Sequence, residues 1–348
     1  MSTRNETFTQ DEVFADFVSE TQTETRKRKR SSTPSKKEVA NLLKQLYSDN
    51  LEGPRHFYAQ DENGIPLAKV PTTVGDKQHF CALSTANQLD PKDWQGQQKQ
   101  RGFKGKHWPP TDTADLVGNP SILEACIKHP KDVRECKCTY ESWQKKMHNF
   151  WLESVLLRDA DNKGYGIYAW KPIPKEAAIG EYTGMLRPRR DYKKGSKTEH
   201  PGAYHASIAM GRFHADVHQQ VTAHIDATHV GSVVRFANHS CEANAKFFEG
   251  RCGMNNRILF VEATHDIAAG EEITLDYGSQ WFNDPEQPCR CGAKKCKNPP
   301  RAPIQEENAD VEMSDSVSSS LTSVQSGSDE GYTSGEADEE PTKKKQRR

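Results

Sequence analysis

The stretch VVRFANHSCEANAKFF, Val233–Phe248, sets four different polar groups between two apolar segments. They are the amide of Asn238, the imidazole of His239, the hydroxyl of Ser240 and the thiol of Cys241. The flanking apolar runs are typical of buried strands. From these residues alone, a hydrogen-bonded histidine in the core explains the pattern best. A functional interpretation needs partners from other parts of the chain.

The composition favours an intracellular globular core with polar flanks. Apolar residues make up 34% of the 348 residues and charged residues 28%, which is unusually polar. No apolar run is long enough to span a bilayer, and the first twelve residues lack an apolar signal core, so we expect an intracellular protein without membrane contact. In that compartment the nine cysteines, an odd number, are expected to be thiols or metal ligands.

Both ends of the chain are expected to be disordered. Residues 1–35 are polar and contain the basic run RKRKR, Arg26–Arg30. That run suits a nuclear import signal or a non-specific nucleic-acid contact, and a solvated charge run explains it equally well. Residues 301–348 form an acidic, serine-rich tail that ends in KKKQRR. The second basic cluster adds to a nuclear interpretation.

The central part of the chain predicts a mostly β protein with helical additions. Short apolar runs alternate with glycine, proline and aspartate from about Val155 to Tyr277, a pattern typical of many short strands. Helices are predicted at Ser35–Tyr47, where a capping box begins the segment, at Pro120–Cys126 and at Tyr140–Trp151. Residues 36–151 are expected to be mainly helical or irregular, with no assigned role.

The segment CRCGAKKC carries three thiols, Cys289, Cys291 and Cys296, at a spacing typical of a structural zinc site. Such a site needs four ligands, so one must come from elsewhere. A second thiol pair, Cys136 and Cys138 in ECKC, has no partner motif nearby and is better explained as ordinary surface or half-buried cysteines. The candidates for the fourth ligand are Cys81, Cys126, Cys136, Cys138, Cys241, Cys252 or a histidine.

Three further motifs are ambiguous by themselves. GYG at Gly164–Gly166 permits either a tight turn or a close approach of the backbone to a ligand. In EYTG, Tyr182 belongs either to the core or to a pocket. In LDYG, Tyr277 is by default a packed ring whose hydroxyl meets a partner.

The order of these motifs is more specific than any one of them. GYG, EYTG, RFANHSC, GEEITLDYG and C-x-C-x₄-C follow one another over residues 152–298, and in this order they resemble the SET-domain protein lysine methyltransferases with a post-SET zinc segment. The resemblance implies a SET domain at 152–278 and a zinc segment at 279–300. It also implies a SET fold of short curved sheets through which the C-terminal segment is threaded.

The same resemblance implies roles for individual residues. Cys241 would complete a structural zinc site with Cys289, Cys291 and Cys296. Tyr277 would be the catalytic tyrosine, and Tyr182 would line the channel for the substrate lysine. The cofactor, S-adenosylmethionine, would be held by Gly164, Tyr165, Gly166, Tyr204, Asn238 and His239.

The implied activity is methyl transfer to a lysine ε-amine, with a histone tail or nucleosome as substrate. A methyltransferase for a non-histone protein and a non-catalytic chromatin reader or scaffold are the alternatives. Leu275 stands where many family members have Phe or Tyr, so the number of methyl groups transferred stays open. Trp281 and Phe282 are expected near the lysine channel. The cysteine-rich pre-SET cluster of some subfamilies is absent.

Overall fold

The computed structural model describes residues 8–27, 34–74, 77–97, 99, 103, 107–117, 126, 138–188, 204–210, 221–253, 256–278, 289–297 and 299. The chain divides into two units, Met1–Arg301 and Ala302–Arg348. The second unit, with the predicted acidic tail, lies outside the described residues, as do Arg28–Arg30 of the basic run and the pair Trp281 and Phe282.

Two of the three predicted helices are confirmed. The helices are α1 Gln10–Lys27, α2 Lys36–Leu46, α3 Thr113–Val117 and α4 Tyr140–Ser154. The third predicted helix, Pro120–Cys126, lies outside the described residues apart from Cys126. None of the described helices combines the length and the apolar character needed to cross a bilayer.

Helix α2 begins at the predicted capping box. The Ser35 hydroxyl accepts a hydrogen bond from the Glu38 N–H at 3.3 Å, and the Glu38 carboxylate accepts one from the Ser35 N–H at 2.7 Å. Val39, Leu43 and Leu46 are buried on one side of the helix. Capping therefore fixes where the helix starts, and the apolar stripe fixes how it packs.

We expect Ser35→Ala to lower the free energy of unfolding by about 1 kcal/mol, because the Glu38 N–H loses its acceptor. Chemical denaturation measures the change. Lys37→Ala, at an exposed position of the same turn, is the control and should leave stability nearly unchanged. A Ser35→Ala protein as stable as wild type would contradict the capping role.

Helix α1 differs from the disorder expected for residues 1–35. The side chain of Gln10, which is 3% exposed, donates to the carbonyls of Leu46 and His56 and accepts from the His56 N–H at 2.8 Å. Val13 and Phe14 pack against the main core from the same helix. A few long-range contacts hold this polar segment, and composition does not report them.

The region 36–151 also contains strands that the sequence did not predict. They are β1 Tyr58–Gln60, β2 Pro66–Lys69, β3 Pro71–Val74, β4 Lys77–Phe80 and β5 Ala82–Leu83. β1 pairs with β2 and β3 with β4, both antiparallel. The Gln60 side chain accepts a hydrogen bond from the Leu157 N–H at 3.0 Å. The N-terminal region is thus joined directly to the first strand of the following part.

The predicted mostly β character of the later part is confirmed. Its strands are β6 Val155–Asp159, β7 Tyr165–Ala169, β8 Ala178–Glu181, β9 Met185–Pro188, β10 His205–Ala209, β11 Thr222–Asp226, β12 Val230–Gly231, β13 Asn238–His239, β14 Ala245–Cys252, β15 Asn256–Ala263 and β16 Thr274–Leu275. They form a β6–β7 hairpin, a three-stranded sheet in the order β10-β11-β9, and a five-stranded sheet in the order β13-β16-β14-β15-β8, while β12 pairs with β5.

Strand β16 lies between β13 and β14, although those two follow one another in the chain. It runs parallel to both, with Asn238 opposite Thr274 and Ala245 opposite Leu275. The Asn244 side chain fixes the insertion, because it accepts from the Thr274 N–H at 2.9 Å and donates to the Glu272 carbonyl at 2.8 Å. This arrangement carries Tyr277 to the NHSC turn. Residues 279–288, which follow, lie outside the described residues, and the threading of the C-terminal segment through a loop stays a prediction.

Candidate functional site

Four thiols from distant parts of the chain meet beside the NHSC turn. Cys241 follows β13, and its sulfur lies 3.9 Å from the sulfurs of Cys289 and Cys296. The ligand atoms of Cys241, Cys289, Cys291 and His239 all lie within 4.8 Å of one another. The structure therefore brings together the four cysteines that the resemblance named.

The sulfur separations suit a tetrahedral zinc ion. Zn–S bonds of about 2.3 Å in a tetrahedron place the sulfurs about 3.8 Å apart. Main-chain N–H groups of Ala293 and Lys297 donate to the sulfurs of Cys291 and Cys241 at 3.4 and 3.2 Å. Burial raises the pKa of Cys291, but hydrogen bonds from N–H groups at Cys241 and Ala293 and from neighbouring thiols lower it to about 7. Such donors stabilise the thiolates that zinc requires.

His239 is better placed to orient the thiols than to bind the metal itself. Its Nδ1 accepts a hydrogen bond from the Tyr277 N–H at 3.1 Å, so the neutral ring carries its proton on Nε2. Nε2 lies 3.3 Å from the Cys241 sulfur and donates to it. Burial lowers the pKa of His239, which favours this neutral form. The four cysteines are then the candidate ligand set, and the His239 ring connects Cys241 to Tyr277.

The glycine turn is joined to the same place by Asn238. The Asn238 amide donates to the Tyr165 carbonyl at 3.2 Å and to Glu272 Oε1 at 2.8 Å. A Cβ on Gly166 would lie 2.8 Å from both Asn238 Nδ2 and Glu272 Oε1, so a larger residue would displace these two side chains. Gly164 has φ +79°, and an added Cβ there would meet nothing within 4 Å. Gly166 therefore permits close packing, and Gly164 permits a turn with an open face.

Glu272 is a site residue that sequence reasoning missed, although it lies in the quoted GEEITLDYG motif. One carboxylate oxygen accepts from Asn238, and the other pairs with Lys163, the residue before the glycine turn. Glu271, next to it, accepts from Asn244 at 2.7 Å. The two acidic residues therefore hold the glycine turn and β16 in place.

Both predicted tyrosines line one cavity of about 240 Å³. The Tyr277 hydroxyl donates to the Ala237 carbonyl at 2.6 Å, and Tyr182, 5% exposed, meets the Phe247 ring edge-on at 5.4 Å. Burial raises the pKa of both phenols well above the ordinary value, so both stay neutral at physiological pH. The lining residues are Tyr182, His205, Ala206, Ser207, Val234, Arg235, Ala237, Phe247, Leu259, Leu275, Asp276 and Tyr277.

Tyr204 lies against Arg235, which the sequence analysis did not single out. The Arg235 guanidinium carbon is 3.6 Å from the centre of the Tyr204 ring, and its Nε donates to the Ala227 carbonyl at 2.7 Å. Arg235 is only 3% exposed. The stacked arginine fixes the position of the ring. The predicted cofactor contact of Tyr204 stays a prediction.

A charge network on the β10-β11-β9 sheet also escaped sequence reasoning. Asp226 accepts from Arg187 at 2.8 Å and from His205, in the cavity wall, at 3.1 Å, while Arg187 also pairs with Asp93 at 2.9 Å. Burial raises the pKa of Asp226, but hydrogen bonds from His205 and Thr228 hold it well below its usual range. These residues come from separate segments, and no motif connects them.

Glu181 supports Tyr182 from the opposite side. Its buried carboxyl group accepts from the Tyr140 hydroxyl at 2.9 Å and from the Trp143 indole at 2.7 Å. Burial raises the pKa of Glu181 to about 8. Helix α4 is thereby fixed to β8, immediately before the tyrosine that lines the cavity.

One known family matches the part of the chain that contains the glycine turn, the NHSC turn and both tyrosines. A family model described as the SET domain matches residues 164–278, from the glycine turn to the end of LDYG. That match confirms, over this part of the chain, the resemblance that the ordered motifs indicated.

Two similar curated proteins are both named histone-lysine N-methyltransferases. The chain is 31% identical over 160 residues to "Histone-lysine N-methyltransferase, H3 lysine-36 specific" of Schizosaccharomyces pombe, covering 46% of this chain and 18% of the relative. It is 28% identical over 188 residues to "Histone-lysine N-methyltransferase SETMAR" of Mus musculus, covering 49% of this chain and 60% of the relative. The chain thus spans less than two thirds of either relative's length. Among solved structures, the methyltransferase domain of human SETMAR matches 41% of this chain and 56% of that chain at 25% identity, with a TM-score of 0.31.

Proposed function

We propose that this chain is an S-adenosylmethionine-dependent protein-lysine methyltransferase that acts on a histone tail. The observation that carries the proposal is the junction at residues 237–239. Asn238 holds the glycine turn there, while the Ala237 carbonyl and the His239 ring hold Tyr277 in the wall of the cavity. The glycine turn and the tyrosine in the cavity wall are therefore held by three consecutive residues.

The glycine turn and β13 would hold the cofactor. Gly166 lets the turn pack closely on Asn238, and Gly164 leaves the other face of the turn open. Tyr165 provides main-chain groups beside the turn, and Asn238 provides its side-chain amide. β13 is at the edge of its sheet, so the outer side of the His239 main chain faces away from β16. Tyr204 would add a ring. When bound, S-adenosylmethionine supplies an electrophilic methyl group on a sulfonium.

The cavity would prepare the lysine. Burial disfavours a charged ammonium and lowers the pKa of a lysine held there, which yields the nucleophilic amine. The Tyr277 hydroxyl commits its proton to Ala237, so what it offers an amine is an acceptor lone pair. Tyr182 lines the same cavity. Holding the amine in a single direction can contribute about 7–11 kcal/mol to lowering the barrier.

Zinc would hold the tail against this junction. Cys241, Cys289, Cys291 and Cys296 would bind it, and through His239 the cluster would fix the main chain of Tyr277. The segments 152–278 and 279–300 would then act as one catalytic unit, with 36–151 as its support. The expected disorder of the tail after 301 and a non-specific nucleic-acid contact of the basic run stay predictions.

The names of the relatives support a histone substrate, and the two basic clusters support a nuclear, chromatin-associated protein. A non-histone substrate and a non-catalytic reader remain the alternatives. The test is transfer of radiolabelled methyl groups from the cofactor to core histones, nucleosomes and a cell extract, followed by mass spectrometry of the product.

We expect a labelled histone lysine. Label found only in another protein would identify that protein, and not a histone, as the substrate. Cofactor binding without any transfer would favour a non-catalytic chromatin reader. The absence of both binding and transfer would contradict the proposal as a whole.

The size of Leu275 should determine how many methyl groups the cavity admits. Leu275 is 2% exposed and lines the cavity with both tyrosines. We expect the wild type to proceed beyond monomethyl-lysine. We expect Leu275→Phe to lower the ratio of higher products to monomethyl-lysine about tenfold or more, because overpacking costs about 1–3 kcal/mol.

Intact-mass analysis of a substrate peptide measures this ratio. Leu67→Phe, at a position 57% exposed, is the control and should leave the ratio unchanged. A wild type that stops at monomethyl-lysine would contradict the prediction, as would an unchanged product ratio in Leu275→Phe.

A further inference from the structure

A histidine on the three-stranded sheet lies in the wall of the cavity that both tyrosines line. His205 begins β10, and it is the one histidine among the described residues around this cavity of about 240 Å³. Its side chain is 18% exposed. None of the motifs in the sequence contains it, so the sequence analysis gave it no role.

Asp226 holds one of the two ring nitrogens of His205. Strand pairing places Asp226 of β11 directly opposite His205, and its Oδ1 lies 3.1 Å from Nε2. Burial raises the pKa of Asp226, but hydrogen bonds from His205 and Thr228 outweigh that effect and lower it, so the carboxylate is ionised. A carboxylate only accepts hydrogen bonds, so Nε2 carries the proton of the neutral ring. Nδ1 is then left with an acceptor lone pair.

The Nδ1 atom of His205 is buried, and no group of the described residues donates a hydrogen bond to it. A buried acceptor without a donor costs free energy, and folded proteins seldom keep one. An N–H group of a substrate that enters the cavity would supply the missing donor.

Support of the Asp226 carboxylate is the simplest alternative role for His205. That carboxylate is already held by other donors, because the Thr228 N–H lies 3.0 Å from Oδ1 and Arg187 Nε lies 2.8 Å from Oδ2. Arg187 is itself fixed by Asp93 at 2.9 Å. A purely structural His205 would add one more donor to a paired carboxylate, and it would leave Nδ1 unexplained.

The other polar groups of the cavity wall are poor proton acceptors at neutral pH. Burial raises the pKa of the phenols of Tyr182 and Tyr277, so both keep their protons. A hydrogen bond from Lys297 lowers the pKa of Asp276, and Arg235 is a cation. An imidazole, by contrast, ordinarily exchanges its proton near neutral pH. The remaining charged and titratable groups on the strands around His205 are Arg187, Tyr204, His224, Asp226, Glu249 and Arg257.

We propose that His205 is a catalytic residue that takes the proton from the substrate lysine, an inference that rests on the proposed methyl transfer. A lysine reaches the cavity as an ammonium, since its ordinary pKa is ~10.4. One of its N–H bonds breaks and an Nδ1–H bond forms, while the electron pair stays on the amine nitrogen. That pair then forms the new N–C bond as the carbon–sulfur bond of the methyl donor breaks and leaves its pair on sulfur.

Asp226 completes the proton path. Its negative charge stabilises the imidazolium that forms when Nδ1 is protonated. The side chains of His205 and Asp226 are 18% and 13% exposed, so the pair reaches the surface of the sheet. Release of one proton to water there returns the ring to its neutral form before the next turnover.

The pH dependence of kcat in His205→Asn tests the proposal, with the full-length chain and core histones as methyl acceptor. Asparagine keeps a hydrogen-bond acceptor close to the position of Nδ1 but takes up no proton. We expect kcat at pH 7 to fall about a hundredfold, which is at the lower end of the usual contribution of acid–base catalysis. The loss should diminish as the pH is raised, because hydroxide then removes the proton.

His265→Asn, at an exposed loop position, is the matched control and should keep the wild-type kcat and pH profile. Circular dichroism and cofactor titration should show that His205→Asn is folded and binds S-adenosylmethionine as the wild type does. In His205→Ala, imidazole added to the buffer should raise kcat about tenfold, because free imidazole then takes the proton.

Three results would overturn the proposal. Wild-type kcat and pH profile in His205→Asn would exclude His205 as the proton acceptor, and a loss that neither higher pH nor imidazole relieves would show a structural role. Both of these results would leave the proposed methyl transfer intact. Absence of transfer by the wild type itself would overturn the proposed function together with this inference.

Discussion

Tyr277→Phe is expected to lower the methyl-transfer rate about a hundredfold or more while the protein stays folded. Tyr277 is held at both ends, by its N–H on the His239 ring and by its hydroxyl on the Ala237 carbonyl. Phenylalanine keeps the ring and removes the acceptor that orients the amine. Misplacement of a reacting group by about 1 Å can cost a hundredfold in rate.

The same substitution should also lower the free energy of unfolding, but not by enough to unfold the protein. The Ala237 carbonyl loses its donor, which costs about 1–3 kcal/mol at a buried site. Calorimetry separates this loss from the loss of kcat. Tyr168→Phe, on β7 beneath Arg158, is the matched control and should retain activity. A Tyr277→Phe enzyme with wild-type kcat would exclude the assigned role.

The pH profile distinguishes orientation from base catalysis. Because burial raises the pKa of Tyr277, the phenol keeps its proton throughout the range up to pH ~10, above which even an unperturbed tyrosine loses it. Any increase in rate between pH 7 and 10 then reports loss of the proton from the bound lysine. The residual activity of Tyr277→Phe should increase with pH in the same way as that of the wild type.

The second large effect is expected when a ligand of the proposed zinc site is removed. We expect Cys291→Ser to raise KM for the protein substrate at least tenfold and to lower kcat as well. The cysteine cluster is connected to Tyr277 by two contacts, one between Cys241 and His239 Nε2 and one between His239 Nδ1 and the Tyr277 N–H. Without the metal, His239 loses the thiolate that orients it, and the tail loses its attachment to the NHSC turn.

Steady-state kinetics with a measured zinc content test this expectation. Cys81→Ser is the control. The Cys81 thiol lies outside the cysteine cluster and donates to the main-chain carbonyls of Ala82 and Ala227. A strong chelator should reproduce the loss of activity. Full activity in protein shown to contain no zinc would refute a structural role for the cluster.

Short motifs predicted most of the candidate site. Cys241 and Cys289 are 48 positions apart, yet their sulfurs lie 3.9 Å apart as the resemblance implied. Asn238 meets the glycine turn, and Tyr182 and Tyr277 share a cavity. Such residues are recognisable because ligand chemistry restricts both their type and their spacing.

Residues that act through long-range pairs could not be predicted in the same way. Glu272 is one of many acidic residues until its contact with Asn238 is seen, and Asp226 is unremarkable without Arg187 and His205. Helix α1 is held by the buried Gln10 amide together with Val13 and Phe14, and the distant partners of Gln10 could not be predicted from the sequence. Periodicity reports which face of an element is buried, but it does not report which distant group that face meets.

Equilibrium titration of the full-length chain with S-adenosylmethionine tests the central claim most directly. That claim is that the glycine turn and Asn238 form one cofactor site. Calorimetry should show one site per chain in the wild type and at least tenfold weaker binding in Gly166→Ala, whose Cβ would lie 2.8 Å from Asn238. Gly53→Ala also introduces a side chain at a positive φ, +78°, but with nothing within 4 Å of its Cβ, and should bind as the wild type does. No binding by the wild type, or wild-type affinity in Gly166→Ala, would contradict the account.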